Sequence, residues 1–331
     1  MRTIINILIL FISVNAFSQK TAEDFGYRHF PIEFNKDTVH IIVKSKKDEG
    51  QTKKPIFIFI QGSLAKPVLK YNGEKHYPPF PFSSKILEDD YHLIVINKPK
   101  IPYISDIANL DENKEFVDKE TNFPPSEYLE RNYLDYYVER NSKVIEYLKK
   151  QNWVDSSKIV VAGHSEGSTI AVKMATTNQN LTQLIYSGGT PYYSRIMSII
   201  SQDRETEKDS TSWVERDFEY WQNTNKNKFD VSREHGFNTY RGTYSFSQNL
   251  SEDFKRLKIP VLVSYGTKDS ASPFNDLLRI EMIENNKTTI DFKAYIGLEH
   301  NYFPLNSDGS LNYNEFNWDK IAMDWKKWLA E

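Results

Sequence analysis

Three short stretches carry residue types that could act together on a carbonyl. In Gly163-His164-Ser165-Glu166-Gly167 a serine lies between two glycines, directly after the apolar run Lys158 to Ala162 and before the small-residue-rich stretch Glu166 to Thr177. A strand that turns sharply into a helix there lifts the serine hydroxyl above the sheet, and glycines are needed where side chains would strike the neighbouring strand and helix. The same turn aims the amide of Glu166 and the helix N-terminus at the place where an oxyanion would form. Asp269 follows the run Pro260 to Tyr265, and His300 follows Thr289 to Ile296, each after a Gly-led turn. A serine hydroxyl is a weak nucleophile until a base removes its proton. His300 is the expected base, and Asp269 is the expected acid that fixes its tautomer and stabilises the imidazolium. Asp276 is the rival for the acid's place.

A second oxyanion donor is expected from the loop after Pro55 to Ile60, where Gln61-Gly62-Ser63-Leu64 stands and Gly62 permits a close approach. The amide of Ser63 is preferred, with Leu64 as alternative donor and as a substrate contact. The carboxylate of Glu166 has two readings, recognition of a substrate amine or complement to the helix dipole, and the second is preferred.

The surrounding elements must place these groups along one edge. Pro55 to Ile60, His92 to Ile96, Lys158 to Ala162, Leu184 to Tyr186 and Pro260 to Tyr265 are continuous apolar runs, as expected of strands covered on both faces. Thr38 to Lys44 and the more alternating Thr289 to Ile296 complete the strands. Helical spacing is expected over Tyr128 to Lys150, Glu166 to Thr177, Pro273 to Asn286 with Ser272 as N-cap, and Trp318 to Ala330. This alternation predicts an α/β fold, a mostly parallel sheet flanked by helices, with catalytic groups beyond the carboxyl ends of the strands. Two stretches interrupt it. Lys98 to Ser126 is a long excursion, and about 191–257 is too long for a structureless loop, so a cap with its own helices is expected. Among the cap's many aromatic residues, Trp213 and Trp221 are the expected substrate contacts, which would suit an apolar group.

With 331 residues and 39% apolar content the chain can bury a large core, and a net charge of -3 without basic blocks points away from nucleic acid. Arg2, the apolar Ile4 to Val14 and Ala16-Phe17-Ser18 form an expected signal peptide over residues 1–18, which implies a periplasmic or secreted protein. No segment reaches the length of a membrane span. The chain has no cysteine, which excludes a lipidated-cysteine anchor and a disulfide. Asn306 to Glu315 echoes part of a calcium loop, but Pro304 stands where the first acidic ligand belongs, so a turn is preferred. No metal and no cofactor are expected.

From about Thr38 to its end the chain resembles the α/β-hydrolase superfamily, in the order of its elements and in the serine turn, acid and histidine. The resemblance implies an acyl-enzyme mechanism on a small ester or, as an alternative, a short peptide. It extends to exported esterases and peptidases of the prolyl-oligopeptidase-like branch, although no N-terminal propeller precedes the domain. Gln61-Gly62-Ser63 also replaces the lipase-type His-Gly-Gly-Gly run. A binding protein that kept the scaffold without catalysis is the third reading.

Overall fold

The computed structural model describes residues 20–331 apart from Phe237, so the expected signal peptide lies outside the described residues. Eight strands form one sheet: β1 (Arg28–Phe34), β2 (Asp37–Lys44), β3 (Lys54–Ile60), β4 (His92–Ile96), β5 (Val154–His164), β6 (Gln183–Ser187), β7 (Val261–Gly266) and β8 (Ile290–Tyr295). Their order is β1-β2-β4-β3-β5-β6-β7-β8. β1–β2 and β2–β4 pair antiparallel, and every pair from β4 to β8 is parallel. The apolar runs are buried on both faces because alternate residues feed different cores. Ile56, Ile58 and Ile60 pack on one side, and Phe57 and Phe59 on the other.

The flanking helices are α1 (Leu134–Leu148), α2 (Glu166–Thr177), α3 (Ser194–Thr206), α4 (Trp213–Lys226), α5 (Tyr240–Phe246), α6 (Ser251–Arg256), α7 (Ser272–Glu284) and α8 (Trp318–Ala330). α1 and α2 cover the first face, through residues such as Val144, Leu148, Ile170 and Met174. α8 covers the other with Trp318, Ile321, Trp325 and Leu329. A small three-stranded sheet (Leu69–Asn72, Lys75–Tyr77, Ile104–Asp106) lies outside the main one.

Three expectations change. The helix read over 128–150 is divided: α1 carries most of it, and a single turn, Ser126–Leu129, is set off from α1 by a break. Arg131 in the break forms an ion pair with Asp37, and Asn132 accepts a hydrogen bond from Tyr137 Oη (3.1 Å), so both side chains stabilise a non-helical corner. Ser272 begins α7 but does not cap it. Ala271 holds the cap position, and its amide donates to Asp269 Oδ1 (2.9 Å). β1 was not expected, because its Pro31 and charged residues hide an edge strand.

The stretch between β6 and β7 carries α3 to α6 and a short hairpin. It has a core of its own, in which Ile196, Ile199, Ile200, Val214 and Tyr220 are buried and against which Trp221 and Tyr240 pack, while Phe218 and Phe229 stay exposed. Residues 306–315 form a turn in which Asp308 Oδ1 accepts from the amide and hydroxyl of Ser310. Among the described residues no cluster of acids and histidines is arranged to hold a metal ion, and no helix is long and apolar enough to cross a membrane.

Candidate active site

Ser165 sits between β5 and α2 with φ 57 and ψ -130, a backbone state that costs a non-glycine residue of order 1–3 kcal/mol and persists only where its surroundings enforce it. The glycines show how it is enforced. A Cβ on Gly163 would lie 2.1 Å from the carbonyl oxygen of Gly167, and one on Gly167 would lie 2.2 Å from that of Ile60 in β3. Strand, turn and helix are therefore pressed together at backbone distance. The Ser165 amide donates to Ser187 O of β6 (2.9 Å), which anchors the turn from the other side.

Asp269 lies just beyond β7 and is buried, with Oδ2 at 2.8 Å from His300 Nδ1. Two loops converge to form that bond. The Lys268 amide donates to Leu298 O (2.9 Å), and Gly297 N donates to Thr267 Oγ1 (2.9 Å). Gly266 permits the crossing, since a Cβ there would meet Leu298 O at 2.1 Å. Glu299 Oε1 then accepts from the amides of Asn301 and Phe303, closing the turn that presents the imidazole. Asp276 is engaged elsewhere, accepting from Tyr265 Oη.

Burial lowers the affinity of His300 for a proton, but the hydrogen bond and charge of Asp269 outweigh it, and the net pKa is raised above 6.5. His164, whose ring centroid is 5.0 Å from that of His300, behaves oppositely. Burial, with the charge of His300, holds it well below the usual imidazole range, so it stays neutral beside the base. Its Nδ1 hydrogen-bonds Ser187 Oγ (3.1 Å).

Ser165, Asp269 and His300 line one cleft of about 740 Å³, together with Ser63 and Leu64. The Ser165 hydroxyl and His300 share no hydrogen bond, and such contacts commonly tighten only when substrate arrives. A Cβ on Gly62 would lie 3.4 Å from Ser165 Cβ, so the 61–64 loop runs directly against the nucleophile. That loop is pinned from behind. Tyr128 Oη donates to Ser63 O (3.2 Å), and Ala65 N donates to Glu115 Oε2 (3.2 Å).

Other expected contacts fall elsewhere. Trp213 and Trp221 do not line this cleft. Trp221 stacks on Tyr244 (6.3 Å) and meets Tyr193 edge-on (6.4 Å), because aromatic surface is more stably packed inside the cap than exposed over a wet cleft. The cap instead presents one face of α3, with Ser194, Met197, Ser198, Ser201, Gln202 and Glu205. These positions recur at 3-4 spacing in the sequence, but that spacing does not say which helix face looks at Ser165. The Glu166 carboxylate is also unavailable to substrate, being buried in an ion pair with Arg195 of α3.

A nucleophile turn of this geometry on an eight-stranded, mostly parallel sheet, with a buried aspartate on a histidine in the same cleft, defines a serine hydrolase of the α/β-hydrolase superfamily. The profile described as serine aminopeptidase, S33 (Hydrolase_4) matches residues 129–304, and the chain belongs to that family. No curated protein sequence matches it. Among solved structures it is similar to Est1E from Butyrivibrio proteoclasticus, with 13% identity, a TM-score of 0.53 and coverage of 91% of this chain and 97% of that one. It is also similar to the acylaminoacyl peptidase of Pyrococcus horikoshii, with 14% identity and a TM-score of 0.54, covering 91% of this chain but 41% of that one. A third is a 2,6-dihydroxy-pseudo-oxynicotine hydrolase, at 14% identity and a TM-score of 0.52, covering 92% and 67%. At these identities the likeness is one of fold.

Proposed function

We propose that the protein hydrolyses a carboxylic ester through an acyl-enzyme on Ser165, and the observation that carries this reading is the Asp269–His300 hydrogen bond beside a serine held at positive φ. His300 takes the hydroxyl proton as Ser165 attacks the carbonyl. The oxyanion is held by the amides of Glu166 and Ser63. His300 then protonates the leaving alcohol, and water repeats the sequence on the acyl group.

Two features favour an ester with a polar portion. The Arg195 ion pair removes Glu166 as a receptor for a substrate amine, and the α3 wall of the cleft is largely hydroxyl and carboxamide. A peptidase is the second reading, supported by the family profile and by Glu205, an exposed carboxylate on the cleft that could receive a free amino terminus. The test compares kcat/KM for p-nitrophenyl acyl esters with that for aminoacyl and peptidyl p-nitroanilides, with Ser165→Ala as control. Turnover of the esters with little of the anilides supports the first reading. Anilides cleaved as efficiently as esters would reverse it.

We further propose export with cleavage after Ser18. The intact mass of the protein recovered outside the cytoplasm tests it. A mature chain beginning at Gln19 supports export, and an uncleaved chain in the cytoplasm contradicts it.

A further inference from the structure

Behind the cleft lies a group of charged side chains that the acyl-transfer scheme does not use. Lys98, Arg140, Glu166 and Arg195 come from four separate elements, the end of β4, α1, α2 and α3, and are between 2% and 8% exposed. Arg195 and Glu166 form an ion pair, while Glu166 Oε1 and Arg195 Nη1 have no partner among the described residues. Arg140 reaches the Asn141 carboxamide (3.2 Å) and the face of Tyr137 (5.2 Å). Among the described residues the Lys98 ammonium has no acidic partner at ion-pair distance. It lies 5.5 Å from the ring of Tyr137 and 6.0 Å from that of Tyr128. Burying an ammonium without a counter-ion is costly, so its retention needs a reason.

The position supplies one. Tyr128, against which Lys98 packs, donates to Ser63 O and so fixes the loop that carries one proposed oxyanion amide. Glu166, paired with Arg195 and within electrostatic reach of Lys98, carries the other amide itself. Arg195 and Lys98 thus both bear on one carboxylate, while Arg140 and the further acid Glu115 bear on Lys98. In a site of low dielectric, fixed positive charge near a developing oxyanion acts more strongly than in water and needs no reorganisation during reaction.

We propose that Lys98 is a positioning residue of the oxyanion hole, the unpaired cation of a buried, net-positive cluster that aligns the Ser63 and Glu166 amides and favours negative charge on the substrate oxygen. The proposal rests on the acyl-enzyme reading of Ser165. The groups facing Lys98 are Tyr128, Tyr137 and Arg140 from the 126–148 segment, Glu166 from α2, Arg195 from α3, and Glu115. Burial is the main influence on its ammonium and brings the pKa down to about 8. The charge is therefore present below that pH and lost above it.

Lys98→Met and Lys98→Arg are the informative variants, assayed from pH 6 to 10 on p-nitrophenyl acetate, with melting temperature measured in parallel. Lys98→Met removes a buried unpaired charge at similar length. It is expected to melt at the same or a higher temperature while kcat falls by about tenfold or more with KM little changed, the effect of losing a donor-type contribution to the transition state. Wild type is expected to lose kcat above about pH 8, and Lys98→Arg to keep most of the rate without that alkaline fall. Unchanged kcat in Lys98→Met would overturn the proposal, as would a lower melting temperature in which activity and fold are lost together. A wild type that a fluorophosphonate fails to label would instead overturn the Ser165 reading, and this one with it.

Discussion

The serine turn and the cap both line one cleft and are built on different principles. The turn is specified by backbone. Gly163 and Gly167 have no room for a Cβ, Ser165 occupies a strained φ, and the amide of Ser165 is tied to Ser187. The cap is specified by side chains. Ile196, Ile199 and Ile200 set which way α3 faces, Trp221 is spent on Tyr193 and Tyr244, and the Arg195–Glu166 pair joins the cap to the residue after the nucleophile. Chemistry that depends on backbone geometry tolerates almost no variation, whereas a packed helix face can be altered without moving the reacting groups.

The largest effect should come from the triad side of that comparison. Asp269→Asn leaves the shape of the loop but presents the wrong partner to His300 Nδ1. It is expected to lower kcat by about 10⁴, measured on a p-nitrophenyl ester, while thermal unfolding changes little. Next, Gly167→Ala drives a methyl group into the Ile60 carbonyl. A loss of roughly 3 kcal/mol or more in denaturant unfolding is expected, because neither β3 nor α2 can yield. A variant that unfolds like wild type would break the claim that the turn is set by backbone contact.

The pH profile gives a smaller effect. His300 acts as a base only when neutral, and its pKa is raised above 6.5. The acid limb of kcat/KM should therefore have its midpoint above 6.5, with activity lost as pH falls through it. Asp269 and Glu299 raise it against burial, and neutral His164 leaves the direction unchanged. A midpoint at or below 6.5 would mean that Asp269 does not hold the imidazolium. The smallest effect belongs to the cap. Trp221→Leu removes two aromatic contacts and should cost about 1–2 kcal/mol of stability while changing kcat/KM less than about threefold. A change in kcat/KM of about tenfold or more without loss of stability would return Trp221 to the substrate.

The same contrast explains what could be read in the chain. β3, β4, β6, β7, α2 and α8 were legible because their runs are long, apolar and bounded by turns, and the meeting of Ser165, Asp269 and His300 in one cleft because each stands just beyond a strand, although the strand before His300 is the more alternating β8. β1 was missed because Pro31 and the charged Arg28 and Glu33 make an edge strand look like loop. Trp213 and Trp221 were misplaced because composition reports how many aromatic residues a cap has, not which way its helices turn. Lys98 and Arg140 gave no signal, since an isolated lysine or arginine normally marks a solvated face and only the folded chain reveals them as buried.

The proposed acyl-enzyme chemistry requires an activated serine at position 165. The direct measurement is the intact mass of the purified protein after exposure to a fluorophosphonate, for wild type and for Ser165→Ala. A single phosphonyl adduct on wild type and none on the variant is the predicted result. No adduct on a folded wild type, or equal labelling of both proteins, would contradict it.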